Sequence, residues 1–161
     1  MAKTNRLPFF LPVGNAFTTV LLRVGFKLGP MSLLTVNGRK SGRPRTVPVA
    51  IIEREGTQYV VSPYGIVNWV RNLRAAGGGT LTRGRHSRAF RAIELSPRDA
   101  APVLRDALVG GPSFLQPYYG VTPSSPIEDF EREVPHHPVF QIIETSVSDP
   151  GKATEVPAKR Q

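Results

Sequence analysis

The apolar positions along the chain change period several times, and each change marks an element. Between residues 13 and 28, Val13, Phe17, Val20, Leu21, Val24 and Leu28 recur at helical spacing, with Leu22 and Phe26 on another side. This predicts an N-terminal helix that stops at Gly29-Pro30. Met31 to Val36 reads as a buried strand, Asn37 to Pro44 as a polar, glycine-containing loop, and the β-branched run Arg45 to Ile52 as the next strand. Glu53 to Thr57, with Gly56, predicts a hairpin turn, and Gln58 to Ser62 the strand that pairs back.

Pro63-Tyr64-Gly65 breaks that strand. Asn68 then predicts the cap of a short helix with Trp69, Val70, Leu73 and Ala76 on one side, ended by Gly77-Gly78-Gly79. Thr80 to Thr82 and Ser87 to Leu95 read as a hairpin turning at Gly84. Ser96-Pro97-Arg98-Asp99 opens a helix with a cap, a proline in the first turn and an acid beside the positive end of the helix dipole. That helix runs to about Leu108 and stops at Gly110-Gly111-Pro112. Residues 112–137 hold prolines and the aromatics Phe114, Tyr118, Tyr119 and Phe130 without clear periodicity. Pro138 to Glu144 reads as a last strand, and the composition from Ser146 onward is that of a tail.

Five or six strands joined mostly by hairpins, with two or three helices, predict an antiparallel α+β domain or small barrel. The division expected is a helical segment at 1–30, one domain at 31–145 and a tail at 146–161. A chain of 161 residues suits one such domain.

Charge adds what periodicity does not show. Residues 1–93 carry 15 lysines and arginines against two acids, Glu53 and Glu55, a net +13; residues 94–161 carry six against ten, a net −4. The asymmetry predicts an anionic partner for the first half: nucleic acid, anionic lipid or a polyanionic cofactor. The chain has no cysteine, which removes disulfides, thiolate metal sites and a cysteine nucleophile. Its three histidines, His86, His136 and His137, lack zinc-hydrolase spacing, so no metal is expected. Lys3 and Arg6 precede an apolar run, but Pro8, Pro12, Arg23 and Lys27 interrupt it, so a secretory leader is not expected and a cytoplasmic location is.

The densest chemistry is in Asn37-Gly38-Arg39-Lys40-Ser41-Gly42-Arg43-Pro44-Arg45: four cations and two glycines in nine residues between two strands. Glycines let backbone amides approach a ligand, Ser41 adds a hydroxyl, and the cations offer charge-assisted bonds to phosphate or carboxylate. The segment reads as an anion cradle, or else as a solvated hairpin tip. It is not a Walker loop.

Thr35 to Val49 resembles the T-x-G-R-K-S-G-x-x-R-x-x-P segment of the deazaflavin-dependent nitroreductase and quinone-reductase family. Tyr59-Val60-Val61-Ser62 and Trp69-Val70-Arg71-Asn72-Leu73-Arg74-Ala75 resemble two further segments of that family, in the same order. The resemblance implies a split β-barrel like that of FMN-binding proteins. The activity it implies is hydride transfer from reduced coenzyme F₄₂₀, an 8-hydroxy-5-deazaflavin derivative, to a quinone, nitro compound or activated alkene. F₄₂₀ is anionic along most of its length, which suits a +13 half-chain.

By the resemblance, Arg39, Lys40, Ser41 and Arg45 hold the phosphate. Thr46, Val47, Pro48, Val49 and Ala50 run along the ring or its ribityl chain. Val61, Ser62, Pro63 and Tyr64 edge the ring, as do Asn68, Trp69, Val70, Arg71 and Asn72. The family's ring-side loop is shortened here to Tyr64–Asn68. Tyr118 and Tyr119 are the candidates for a substrate-side wall, where a phenol donates a proton or hydrogen bond to the reduced oxygen. His136 and His137, between Pro135 and Pro138, are the substitutes for that role, or exposed loop residues.

Other readings stand beside these. Trp69 at helical spacing suits a core position, and Asn72 a cap or a backbone partner. Arg83, Arg85, His86, Arg88 and Arg91 form a second basic stripe, either a solvated strand face or a dock for an oligoglutamate tail or an anionic membrane. FMN is the alternative cofactor. A non-catalytic cofactor- or lipid-binding protein is the alternative function. Specific nucleic-acid binding is not expected, because the cations are not interleaved with aromatics. The partner expected is a small hydrophobic electron acceptor, with the chain as monomer or homodimer.

Overall fold

The computed structural model describes residues 31–146. The helix expected at 13–28, the rest of segment 1–30 and the tail beyond residue 146 lie outside the described residues. Six strands, β1 (Met31–Asn37), β2 (Pro44–Arg54), β3 (Thr57–Val61), β4 (Gly78–Arg83), β5 (His86–Glu94) and β6 (Val139–Glu144), close into a barrel. Their order around it is β1-β2-β3-β6-β5-β4, and every neighbouring pair is antiparallel. Among the described residues three helices accompany them: α1 (Asn68–Ala76), α2 (Pro97–Gly110) and α3 (Ile127–Glu133). Two 3₁₀ turns lie at Ser113–Tyr118 and Val134–His136. The α+β class and the barrel are as the pattern of short hairpin-linked strands requires.

Strand alternation builds two separate cores. Leu34 and Val36 of β1, Val49 of β2, Val60 of β3, Leu81 of β4, Phe90 of β5, and Phe140 and Ile142 of β6 pack together inside the barrel. Helix α1 seats Val70 and Leu73 in the same cluster. The intervening residues face outward. Val61 of β3 and Val139 of β6 join Ala100, Val103, Leu104 and Leu108 of α2 and Phe130 of α3 in a second cluster outside the barrel wall. Burying a side chain of this size contributes about 1.5–3 kcal/mol.

The structure corrects the expected local order in three places. Asn68 is the first residue of α1 rather than its cap; Val67 precedes the helix, and no side chain caps it. Only Gly77 ends that helix, with φ 73° and its N–H on the Leu73 carbonyl at 2.8 Å. Gly78 and Gly79 belong to β4, because a Cβ on Gly79 would overlap the Thr35 carbonyl oxygen of β1. Finally, residues 112–137 are not irregular throughout. They hold α3, whose seven residues are too few to display a period; Pro126 before it and Glu128 and Asp129 in its first turn were the available signals.

Replacing Gly79 by alanine forces β1 and β4 apart and is expected to destabilise the protein by about 1–3 kcal/mol. Urea unfolding followed by circular dichroism measures it, with Gly110→Ala, at a position with nothing within 4 Å of the added carbon, as the tolerant comparison.

Candidate active site

Two neighbouring strands of unequal length create the candidate site. β2 has 11 residues and β3 has five. β1 pairs with β2 from Pro44 to Ala50, whereas β3 pairs only with Ile51 to Arg54. Among the described residues, the first half of β2 therefore has a ladder on one side and an open edge on the other. Pro44 and Pro48 share a parity along the strand; neither has an N–H, and that parity suits the side that meets no ladder.

The same alternation divides the expected cofactor residues of β2. Val49 is buried and Val47 packs against the barrel interior, so neither side chain faces a ligand outside. Thr46, Pro48 and Ala50 take the opposite face. The Thr46 hydroxyl is already hydrogen-bonded to that of Thr35, at 2.9 Å.

At the end of this edge stands the basic loop. The Gly38 N–H bonds the Arg43 carbonyl at 2.8 Å and the Gly42 N–H bonds the Gly38 carbonyl at 2.8 Å. The glycine amides thus close the loop on itself instead of offering themselves to a ligand, which corrects the sequence-based expectation. Gly42 also supplies the left-handed turn, φ 67°. The Arg43 amide is taken by the Ser41 hydroxyl at 3.3 Å.

Arg39, Lys40, Arg43 and Arg45 are all exposed. Among the described residues none of the four pairs with a carboxylate. Several arginines elsewhere are committed: Arg54 to Asp106 and Arg74 to Glu94, each at 2.6 Å, and Arg88 to Glu144 and Gln58.

Helix α1 ties this loop to the barrel. Asn72 is 6% exposed, and its Oδ1 accepts from the Arg39 amide at 3.2 Å and from Arg39 Nη1 at 2.9 Å. It therefore serves as a backbone partner, one of the two roles its type suggested. Trp69 is half-buried and packs against the barrel interior, its ring centroid 6.2 Å from that of Phe140. Val70 is wholly buried, while Asn68 and Arg71 are exposed.

Beyond β3, the chain turns through Ser62, Pro63 and Tyr64. Val61 and Ser62 are buried, and Pro63 and Tyr64 are half-buried. The Ser62 N–H bonds the Pro138 carbonyl at 3.0 Å, and its hydroxyl donates to the Gly65 carbonyl at 2.5 Å. The Tyr64 ring meets Tyr118 edge-on, centroids 4.9 Å apart. Burial first, and Tyr118 second, hold the Tyr64 phenol above its ordinary pKa, so it stays protonated and able to donate.

The two candidate tyrosines separate. Tyr118 is half-buried at this rim. Tyr119 is 7% exposed and stacks on His137, with centroids 4.3 Å apart and planes at 22°. Burial holds its phenol far above the ordinary value.

His137 is the largest departure from expectation. It is wholly buried, whereas His136 is exposed. Its Nδ1 lies 3.0 Å from the Ser62 carbonyl oxygen and its Nε2 lies 3.1 Å from Glu133 Oε1. Burial pushes the imidazolium below its usual pKa, and the Ser62 carbonyl and Glu133 oppose that shift. Glu133 and Gly120, whose N–H bonds Glu133 Oε1 at 2.7 Å, carried no signal apart from the i,i+4 spacing of Glu133 and His137.

Of the second basic stripe, Arg83, Arg85, His86 and Arg88 lie away from this site, whereas Arg91 pairs with Gly78 at the other end of β4. The β4–β5 hairpin turns at the end of β1 that carries Ser32, because Leu33 pairs with Thr82. At about 3.3 Å per residue, Ser32 and Asn37 are roughly 17 Å apart. A cavity of about 490 Å³ opens at that far end, lined by Ser32, Ile51, Leu81 and His86 among others, and none of the expected cofactor residues lines it. The cradle is an open edge, not an enclosed hole. No cluster of potential metal ligands occurs among the described residues, and none of their helices is long and apolar enough to cross a membrane.

Comparison with known proteins agrees with this architecture. Residues 18–114, more than half of the chain, match the family model described as F420H(2)-dependent quinone reductase. A solved structure described as an F420-H2 dependent reductase (FDR-A) is similar at 22% identity and TM-score 0.52, over 73% of this chain and 98% of that one. A second, described as a domain-swapped dimer, is similar at 23% identity and TM-score 0.54, over 80% and 95%. A protein of unknown function from Agrobacterium tumefaciens is similar at 16% identity and TM-score 0.52, over 89% and 59%. At these identities the structures bear on the fold, the split barrel. No curated protein matches the chain.

Replacing Asn72 by alanine strips Arg39 of both bonds and empties a buried polar position. The expected loss is about 1–3 kcal/mol of stability, read from the urea midpoint, with faster amide exchange at Arg39.

Proposed function

Given that the chain belongs to the F₄₂₀H₂-dependent quinone reductase family and is an oxidoreductase of that class, we propose that the open edge of β2 and the loop at its end hold coenzyme F₄₂₀. The acceptor that we propose is a small apolar quinone. The observation that carries this reading is the set of four cations that pair with no carboxylate among the described residues, beside a strand edge that meets no ladder among them. That combination fits a long anionic ligand with a planar polar ring: charge for one part, backbone donors and acceptors for the other.

Within this reading, Lys40, Ser41 and Arg45 hold the phosphate, and Arg39 contributes while anchored by Asn72. Thr46, Pro48 and Ala50 line the ring through side chain and backbone, whereas Val47 and Val49, turned into the barrel and laddered to β1, support that stretch of β2 from behind. Ser62, Pro63 and Tyr64 form the opposite wall. The deazaflavin, when bound, supplies the hydride donor. The protein orients the acceptor, excludes water and keeps a proton at a phenol oxygen. Of the candidate phenols, Tyr118 and its neighbour Tyr64 suit that last role, because Tyr119 is enclosed against His137. A nitro compound or activated alkene is an alternative acceptor for the same rim. The solved relative described as a domain-swapped dimer supports a homodimer, which light scattering would report as twice 17.6 kDa.

Titration with F₄₂₀ and separately with FMN, followed by Trp69 fluorescence, tests the assignment. F₄₂₀ is expected to bind more tightly than FMN, and its affinity to fall with added salt. Lys40→Ala combined with Arg45→Ala is expected to weaken F₄₂₀ by about tenfold to a hundredfold. FMN binding with no F₄₂₀ binding, or an F₄₂₀ affinity indifferent to salt and to both substitutions, would overturn it.

A further inference from the structure

Glu133 and His137 lie outside the residues assigned to the cofactor, yet they join the two segments that bear Tyr64 and Tyr118. The donor arithmetic around the imidazole is tight. The Ser62 carbonyl oxygen can only accept, so the proton on that side belongs to Nδ1. On the other side one proton is shared along the line from Nε2 to Glu133 Oε1, and the same oxygen accepts the Gly120 N–H. Tyr119 covers the imidazole face and Gly120 lies against the carboxylate: a Cβ there would come within 2.8 Å of Glu133 Oε2. The imidazole is thereby wholly covered, and the Glu133 side chain is left 11% exposed.

The distal ends of these bonds are what matter. They do not reach the sheet ladders or the helix interiors. One reaches the backbone of Ser62, two residues before Tyr64; the other reaches Gly120, two residues after Tyr118. The backbone of Tyr118 also lies close enough to favour a proton on the imidazole. A single buried pair thus holds both sides of the Tyr64–Tyr118 contact. We propose that His137 is a positioning residue for the reductase: with Glu133 it latches the Ser62 and Gly120 backbones, and so fixes the two-tyrosine rim where the acceptor meets the ring. This inference rests on the assignment of Ser62 to Tyr64 to the cofactor's ring edge.

The two amide replacements of histidine separate the bonds. The amide nitrogen of asparagine stands where Nδ1 stands, and that of glutamine where Nε2 stands. His137→Asn therefore keeps the bond to Ser62, whereas His137→Gln gives it up. In assays with reduced F₄₂₀ and a soluble naphthoquinone, His137→Gln is expected to lower kcat about tenfold or more, and His137→Asn, which breaks the Glu133 arm but leaves Ser62 held, to lower it clearly less. The Kd for F₄₂₀ should change less than about threefold in both, since the basic loop is elsewhere. Equal kcat in both variants, whether kept or lost, would overturn the latch.

Should neither variant fold, nitrogen NMR of the unaltered protein decides: a proton on Nδ1 supports the latch, and a ring protonated at Nε2 alone overturns it. Hydrogen exchange without cofactor adds an independent arm. Amides from Tyr64 to Val67 should exchange faster in His137→Gln than in His137→Asn, and equal rates would count against the latch. If the unaltered protein binds no F₄₂₀, the cofactor assignment falls, while the exchange comparison still tests the latch itself.

Discussion

The shortness of β3 is the constraint on which the rest of the site depends. A closed barrel normally consumes every strand edge, and an edge left open invites pairing with other chains. Here β3 stops after five residues, and seven residues of β2 keep a free side. The means by which proteins blunt such edges are all present: prolines at 44 and 48, and cations at 39, 40, 43 and 45. The devices that protect the edge from another strand are also the ones that receive an anion. A polar ring can use the backbone groups that a strand would otherwise take, and the cations favour a phosphate over a second protein chain. Protection and recognition therefore require the same residues, which explains why so small a segment carries so much of the chemistry.

Two cores divide the work of holding this edge. The basic loop is tied through Asn72 to α1, and α1 belongs to the cluster inside the barrel. Val61, just before the Ser62–Tyr64 turn, and the Tyr118 segment belong to the cluster outside it, with α2 and α3. The open edge of β2 lies where the two meet. Changes in either cluster should move one wall of the slot relative to the other, so packing far from the ligand bears on its geometry.

How much of this was legible depended on the range of the interaction. The hairpins β1–β2, β2–β3 and β4–β5 were legible because alternation and turn residues are local: Gly56 and Gly84 mark their turns in the sequence. The closures of β3 on β6 and of β1 on β4 span long separations, and no local pattern encodes them. The cations of the loop were legible as charge, whereas the use of Gly38 and Gly42 amides to close the loop was not, since that is a matter of geometry. The inward turn of Val47 and Val49 follows from a period of two and lay within reach of the sequence. His137 was misread because flanking prolines imply a loop, and a loop implies exposure; the Ser62 carbonyl and Glu133 reverse that by completing its hydrogen bonds.

The charge asymmetry along the chain finds its meaning only in the folded pairings. Taken alone, a half-chain at +13 could attract any polyanion. In the barrel, acids of the second half neutralise arginines of the first: Asp106 meets Arg54, Glu94 meets Arg74, and Glu144 meets Arg88. Exposed pairs of this kind contribute little stability, about 0–1 kcal/mol each. Their larger effect is on where positive potential remains. Folding removes it at scattered positions, and Arg39, Lys40, Arg43 and Arg45 are among the cations that it leaves without a carboxylate partner within the described residues. What sets these four apart is their place, at the end of the stretch of β2 that β3 does not pair. The sign of the partner was therefore written in the composition, while the place where it binds depends on which remaining cations stand beside backbone groups that a ligand can use.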